Sequence, residues 1–265
     1  MPTVEVVLRG MSVTSSEGNY APCGVYLIRY STADGAQRFV IYDFGHAGRR
    51  LKLLSALDRR GVAPDDVEAV VVSHAHWDHV QNVDVFRNAR VLVHAAELGY
   101  VQAPHPGDHA TPGWTRALLG GPLVQACKDG DEVAPGIQVV HLPGHTPGSI
   151  GLAVETDSGV AVISGDAVGS AQAAVSGQCP NVFWNASEAD ASVRRVLALA
   201  DTIYPGHDRP FRLGPDLEVQ YLTQVRPVTV WVSGIGPSDV TVTQREPLGR
   251  TAFGHAAHSS AGAVR

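Results

Sequence analysis

Residues 73–82, with the sequence Ser-His-Ala-His-Trp-Asp-His-Val-Gln-Asn, constrain the fold of this chain more than any other stretch. An apolar run, residues 70–72, precedes them, and apolar residues at helical spacing follow. This pattern predicts a buried strand that ends in a loop and opens a short helix. Side chains two residues apart in an extended segment point the same way, so His74 and His76 can bind one metal ion together.

Asp78 and His79 follow past the predicted strand end, where the chain turns, and can face a second ion. Imidazole nitrogens and carboxylate oxygens are ligands of zinc, and iron and manganese also use them. The alternative is a surface loop that happens to be rich in histidine. A cluster this dense directly after a core strand has little packing rationale, which favours a metal site.

The same kind of sequence recurs at four other predicted strand ends. Each carries an Asp or His together with a glycine: Asp43, His145, Asp166 and His207. Glycine lets the backbone turn sharply and approach an ion closely. In α/β proteins, functional groups collect on the loops at one end of the sheets. One such dipeptide alone would more often be an ordinary turn, but together they predict a shared centre.

The remaining pattern is a mixture of strands and helices. Residues 24–30 and 38–42 predict a hairpin, and Ser187-x-x-Asp190 is a capping-box pattern that predicts a helix from Ser187 through Ala200. The other predicted elements are strands at residues 4–8, 67–72, 90–94, 137–142, 149–155, 159–163 and 202–204, edge strands within 217–231, and helices at 50–60 and 114–119. Residues 103–121 predict a long loop that could act as a lid, and residues 167–184 an irregular segment.

In its order of motifs the sequence resembles the metallo-β-lactamase superfamily, from the first hairpin to His207. The elements are His-x-His-x-Asp-His, a His in a Pro-Gly-His-Thr-x-Gly type of turn, an Asp after a strand, and a late His. The resemblance implies an α/β fold, a four-layer αββα sandwich of two mixed β-sheets flanked by helices. It implies three ligands for one metal ion (His74, His76, His145), three for a second (Asp78, His79, His207) and Asp166 as a bridge. Asp43 would orient ligands.

Departures from particular branches of that family narrow the expected activity. No Cys stands at a ligand position, which disfavours a β-lactamase. The 58 residues after His207 look more strand-like than helical, which disfavours a hydroxyacylglutathione hydrolase. We therefore expect a hydrolase of an ester, lactone or thioester of a small molecule. An iron-dependent sulfur dioxygenase keeps the same ligands and stays an alternative, and a phosphodiesterase or nuclease is a weaker one.

The expected cofactors are two zinc ions, with iron or manganese as alternatives. Two divalent ions about 3.5–4 Å apart can hold a hydroxide between them, which would attack a carbonyl carbon. Asp78 is the expected catalytic residue, because a carboxylate can bind metal through one oxygen and carry a proton on the other.

Composition limits the partners. The net charge of −6 argues against a nucleic-acid surface, and no apolar run approaches the length of a membrane span. The three cysteines show no Cys-x-x-Cys spacing and the first residues do not read as a signal peptide, so we expect a cytoplasmic protein. We predict one domain over residues 1–250 and a flexible tail over residues 251–265. Oligomeric state is left open, a homodimer being one alternative.

The other histidines and aromatic residues have weaker expectations. We expect His94 and His141 to be structural, His255 and His258 to be exposed in the tail, and His105 and His109 to be exposed, with substrate contact as the alternative. Trp77 could pack under the site or face substrate. Core positions are expected for Tyr204, Phe183 and Trp184, with pocket lining by one of them as the alternative.

Overall fold

The computed structural model describes residues 1–15, 18–224 and 251–252. Its strands are β1 Thr3–Leu8, β2 Val13–Ser15, β3 Gly18–Tyr20, β4 Val25–Ser31, β5 Gln37–Tyr42, β6 Val67–Val71, β7 Arg90–His94, β8 Val124–Cys127, β9 Glu132–Ala134, β10 Ile137–His141, β11 Ile150–Thr156, β12 Gly159–Gly165, β13 Asn181–Val182, β14 Thr202–Pro205, β15 Phe211–Leu213, β16 Val219–Tyr221 and β17 Thr251–Ala252. Its α-helices are α1 Arg50–Asp58, α2 Trp77–Val80, α3 Ala95–Tyr100, α4 Thr115–Leu118, α5 Ala171–Ser176 and α6 Ala186–Leu199. Short 3-10 turns cover Ala47–Arg49, Pro64–Asp66, Val83–Val85 and Asp166–Val168.

Two mixed sheets form the centre of the fold. The first has the strand order β1-β4-β5-β6-β7-β8, and the second the order β16-β15-β14-β12-β11-β10-β9. Strands β5 to β8 are parallel, and so are β12 and β14, whereas β4 and β5 form the predicted antiparallel hairpin. Because parallel strands end at the same edge, the loops after β5, β6, β12 and β14 can meet there.

Alternation along β4 shows how the first sheet is buried on both faces. Val25 and Leu27 join a core with Leu53 of α1, whereas Tyr26 and Ile28 face the second sheet. Successive residues of a strand point to opposite faces, so a strand covered on both sides is apolar at nearly every position.

The second sheet is built in the same way. Leu152 of β11 belongs to the core between the sheets, whereas Val162 of β12 packs on the other side with Val193 and Val196 of α6. Three buried layers of side chains therefore separate helix, sheet, sheet and helix, which confirms the predicted αββα sandwich. Among the described residues, no helix is long and apolar enough to cross a membrane.

Two predictions of local structure were wrong. Helix α6 begins at Ala186, and its N-cap is Asn185, whose side chain accepts a hydrogen bond from the Glu188 amide, so the Ser187-x-x-Asp190 box does not open it. The amide of Asn185 donates to the carbonyl of Gly144, which fixes where the helix starts. The segment 167–184 is also less irregular than predicted, since it contains α5, capped by the Ser170 hydroxyl, and the short strand β13.

The C-terminal predictions are only partly covered. Strand β16 falls inside the segment where edge strands were predicted, but residues 225–250 lie outside the described part of the chain. Thr251–Ala252, at the start of the predicted tail, pairs in parallel with Asn181–Val182. Residues 253–265, with His255 and His258, also lie outside the described part. The 1–250 domain and the flexible tail therefore remain predictions.

Candidate metal centre

The first group of predicted ligands meets at one edge of the two sheets. His74 and His76 follow β6, and His145 follows β10 on the second sheet. The Nε2 atom of His145 lies 3.2 Å from Nε2 of His74 and 3.1 Å from Nδ1 of His76. All three rings are buried. Three imidazole nitrogens at this separation face one common point, as the ligands of a single ion do.

The second group lies beside the first. Nε2 of His79 is 3.4 Å from Oδ2 of Asp78, and Nε2 of His207 is 3.7 Å from the same oxygen. Asp78 and His79 belong to α2, and His207 follows β14. The structure thus brings together ligand atoms from opposite sheets, and Asp78, His79 and His207 could hold a metal ion.

Asp166, directly after β12, lies between the groups. Its Oδ2 is 3.6 Å from Nε2 of His145 and 3.1 Å from Nε2 of His207, while its Oδ1 is 3.6 Å from Nε2 of His79. A carboxylate in this position can contact ions in both groups.

Glycine allows these close approaches at two of the strand ends. A Cβ atom on Gly206 would lie 2.1 Å from Oδ1 of Asp166. Gly144, before His145, has φ 126° and would place a Cβ 2.0 Å from the backbone nitrogen of Ala189. A side chain at either position would push a ligand loop away from the centre.

The donor set fits metal ions. Asp78 Oδ2, His79 Nε2 and Asp166 Oδ1 are buried and have no hydrogen-bond partner among the described residues. Buried polar atoms left in this way cost about 1–3 kcal/mol each. Converging nitrogen and oxygen atoms of this kind are the ligands that zinc, iron and manganese accept.

The outer ring nitrogens are held by the protein. Nδ1 of His79 lies 2.7 Å from Oδ2 of Asp43, and Nδ1 of His145 lies 2.7 Å from the carbonyl of Asn181. The Ser73 hydroxyl donates to Asp43 at 2.9 Å and lies 2.9 Å from Nδ1 of His74. Asp43, which has φ 64°, therefore occupies the orienting position that the resemblance implied.

The electrostatic environment differs between the two groups. Burial, then the neighbouring imidazoles, lower the pKa of His74 well below its usual range, and burial and His76 lower the pKa of His145 to about 4. These rings are therefore neutral, as a ligand must be. Burial also lowers the pKa of His207, but the carboxylates of Asp166 and Asp78 outweigh it and raise that pKa to about 9. Positive charge is thus favoured where the second group meets.

Two buried carboxylates near the centre were missed by sequence reasoning. Glu97 in α3 accepts hydrogen bonds from the Ala75 amide at 2.8 Å, the Thr146 hydroxyl at 2.8 Å and the Gly148 amide at 3.0 Å. It joins the two loops that carry the first ligand group. Asp108, in the predicted lid loop, lies beside His76. Asp-x-x-Thr at residues 108–111, typical of a side-chain-capped turn, was the only available signal for it.

Of the aromatic residues near the metal centre, some line the centre and others lie in the core. Phe183 packs edge-on against the rings of His76 and His145, with centroids 4.9 and 5.4 Å apart, so it lines the centre. Trp77 is half-buried and packs edge-on against His46, and Trp184 lies against Tyr100. Tyr204 packs against the core between the sheets. His94 and His141 stack on each other, with centroids 3.9 Å apart, away from the ligand groups.

Comparison with known proteins agrees with this geometry. The sequence profile of the metallo-beta-lactamase superfamily matches residues 21–207, so the chain belongs to that superfamily. Metallo-beta-lactamase domain-containing protein 1 of Xenopus laevis is 34% identical over 66% of this chain and 68% of its own length. An N-acyl homoserine lactonase of a Bacillus species is 28% identical over 59% of this chain, and the match covers 62% of that enzyme.

A solved structure shows the same fold. The quorum-quenching N-acyl homoserine lactone lactonase superposes with a TM-score of 0.61 over 78% of this chain and 91% of its own, at 19% identity. Family membership and the His and Asp clusters together support a metal-dependent hydrolase of the superfamily.

Proposed function

We propose that this protein hydrolyses an ester, lactone or thioester of a small molecule at a centre of two divalent cations. One observation carries the proposal: the ligand atoms form two groups that share one carboxylate. Oδ2 of Asp166 lies 3.6 Å from His145 of the first group and 3.1 Å from His207 of the second. A site for a single ion would leave the converging atoms of the other group without a metal ion to bind.

The seven side chains that would hold the cations are His74, His76, Asp78, His79, His145, Asp166 and His207. Zinc accepts this set of imidazole and carboxylate ligands, and iron and manganese are the other candidates. When bound, a pair of such cations supplies an activated water and a Lewis acid for a carbonyl oxygen.

Asp78 is the residue that we assign to proton transfer. Its Oδ2 faces the ring nitrogens of His79 and His207, at 3.4 and 3.7 Å. That leaves Oδ1 to take the proton that the attacking water loses. Asp78 then returns the proton to the alkoxide or thiolate leaving group, so the overall reaction adds one water across the bond.

The surroundings support a small carbonyl substrate. The ring of Phe183 forms an apolar wall against two ligands of the first group. Relatives at 28–30% identity are N-acyl homoserine lactonases, which act on a cyclic ester. The net charge of −6 makes a polyanionic nucleic acid a poorer partner.

The test combines metal analysis with a substrate panel. Protein purified without added metal is analysed by mass spectrometry, stripped with a chelator and reloaded with zinc, iron or manganese. Each form is assayed with an N-acyl homoserine lactone, an aryl ester, a thioester, a bis-aryl phosphodiester, and a persulfide under oxygen. We expect two metal equivalents and carbonyl hydrolysis. Oxygen uptake with one equivalent of iron, or cleavage of the phosphodiester alone, would contradict the proposal.

Asp78→Asn tests the proton transfer separately. We expect the variant to keep its metal content while the turnover number falls about 100-fold or more, because proton transfer typically contributes about 10²–10⁴-fold. The matched control is Asp84→Asn, an exposed aspartate in the turn after α2 that pairs with Arg50, and its rate should stay at the wild-type value. Full turnover in Asp78→Asn with two metal equivalents would exclude the role.

A further inference from the structure

Asp108 is buried in the loop between α3 and α4, with 5% of its surface exposed, and its carboxylate is held from several sides. Oδ2 accepts from the hydroxyls of Tyr100 and Thr111, each at 2.8 Å. Oδ1 accepts from the amides of Ala110 and Thr111 at 3.0 and 3.1 Å. Four donors fix both oxygens, so this carboxylate is a rigid part of the loop.

The fixed carboxylate is aimed at a predicted metal ligand. Oδ1 of Asp108 lies 3.3 Å from Nε2 of His76, while Nδ1 of the same ring lies 3.1 Å from His145 in the first ligand group. A second link holds the loop in place, because the amide of Trp77 donates to the carbonyl of Ala110 at 2.9 Å. The loop is therefore attached to the His-x-His-x-Asp-His motif at the ligand itself.

His76 differs in orientation from the other ligand histidines. In His79 and His145 the outer nitrogen is Nδ1, which meets a protein oxygen, so Nε2 is the nitrogen left for metal. In His76 the outer nitrogen is Nε2, and Nδ1 faces the centre. A neutral imidazole has one protonated nitrogen and one lone pair, so a ring used through Nδ1 needs an acceptor beside Nε2. Nε2 of His76 has no aligned hydrogen-bond partner among the described residues, and the carboxylate oxygen beside it, at 3.3 Å, is Oδ1 of Asp108, so Asp108 is the candidate acceptor.

We propose that Asp108 is a positioning residue that sets the tautomer and orientation of His76 for metal binding. The inference rests on the proposed metal centre, which it deepens by making the 103–121 loop a support of the first ligand group. Asp108 contacts no substrate in this role. Its contribution is to keep the proton on Nε2, so that Nδ1 presents a lone pair to the cation.

The test measures metal affinity rather than activity. Apo wild type, Asp108→Ala and Asp108→Asn are titrated with zinc against a chromophoric chelator, and ¹⁵N-histidine NMR identifies which rings bind each equivalent. We expect Asp108→Ala to weaken the equivalent bound by His76 by about 10–100-fold, the usual effect of losing such a partner. Asp108→Asn keeps an acceptor oxygen but loses the charge, so its loss should be smaller. In the NMR spectrum, His76 of Asp108→Ala should lose its persistent proton on Nε2.

Asp131→Ala is the control, since Asp131 also caps a turn, through the Lys128 amide at 2.9 Å, and lies between β8 and β9, in a turn that carries no predicted ligand. Its zinc affinities should equal those of the wild type. Unchanged affinity and an unchanged Nε2 proton in Asp108→Ala would overturn the inference, and if that variant does not fold, unchanged values in Asp108→Asn would do so. A wild type that binds two equivalents but cleaves no carbonyl substrate would refute the proposed function alone. A wild type without metal would refute both.

Discussion

Replacing Glu97 should destabilise the fold, because one buried carboxylate joins two loops. Glu97→Ala leaves the amides of Ala75 and Gly148 without their acceptor, whereas the Thr146 hydroxyl keeps its partner Ser149 at 2.8 Å. Each buried orphan amide costs about 1–3 kcal/mol, so the gross loss is roughly 2–6 kcal/mol. Removing a buried carboxylate, whose pKa burial has raised, offsets part of this loss. We expect a net loss of about 3 kcal/mol in the free energy of unfolding.

Glu97→Gln refines the expectation. Its single amide oxygen can satisfy Ala75 or Gly148 but not both, so one orphan amide remains and the loss should be about 1–2 kcal/mol. The order is therefore wild type, then Gln, then Ala. Glu132→Ala is the matched control, because Glu132 is exposed on the edge strand β9 and its removal should change stability by less than about 0.5 kcal/mol.

The assay is urea unfolding of the metal-free proteins, followed by circular dichroism, with a common slope fitted to all variants. Metal-free protein is used so that the result reports the loop contacts and not a change in metal affinity. A Glu97→Ala midpoint that gives a loss below about 0.5 kcal/mol would refute the reasoning. So would Gln and Ala variants of equal stability, since both losses are assigned to the number of orphan amides.

Two further predictions concern the second ligand group. Asp43→Asn should weaken binding of the zinc ion held by His79 about 10-fold or more, because Oδ2 of Asp43 lies 2.7 Å from Nδ1 of that ring. Competition with a chelator measures this zinc affinity, and a wild-type affinity in the variant would contradict the prediction. The stability of the metal-free protein should depend on the protonation of His207, whose pKa is raised from 6.5 to about 9. The stabilisation from the protonated ring is therefore complete below about pH 6.5 and is lost as the pH rises through 9. Zinc must displace that proton, so calorimetric titrations at pH 7.5 in buffers of different ionisation enthalpy should show proton release on binding, and no release would contradict the assignment.

The structure brings the predicted ligand side chains together because each of them lies on a loop at one edge of the sheets. Asp166 and His207 follow β12 and β14, which are parallel neighbours in the second sheet, so strand position alone places them at one edge. His74 follows β6 of the first sheet, and it meets them only because the two sheets pack together. The layered fold was predicted from the resemblance to the superfamily, and runs such as residues 70–72, which have to be covered on both faces, agree with it.

Contacts that depend on tertiary structure were not predictable. Asn185 and Ser187 are both good N-cap residues, and the hydrogen bond from the Asn185 amide to the Gly144 carbonyl decides between them. Helix α5 has only six residues, too few to be stable alone, and it forms because Ala171 and Ala174 pack into the core of the second sheet. In the sequence, Glu97 and Asp108 resemble ordinary surface acids, because their burial depends on the folded positions of the loops that they contact.

The buried carboxylates around the centre explain why this edge of the fold requires cations. Five of them lie within or directly behind the ligand groups: Asp43, Asp78, Glu97, Asp108 and Asp166. Burying so much negative charge without compensation is costly, and the protonated forms of His79 and His207 favoured by their raised pKa values offset only part of it. Two divalent cations would balance four of the five charges. Of the three that are not themselves predicted ligands, Asp43 and Asp108 lie beside ligand imidazoles, and Glu97 holds the loops that carry ligands. The same charges that would bind the cations therefore also fix the geometry in which they are bound.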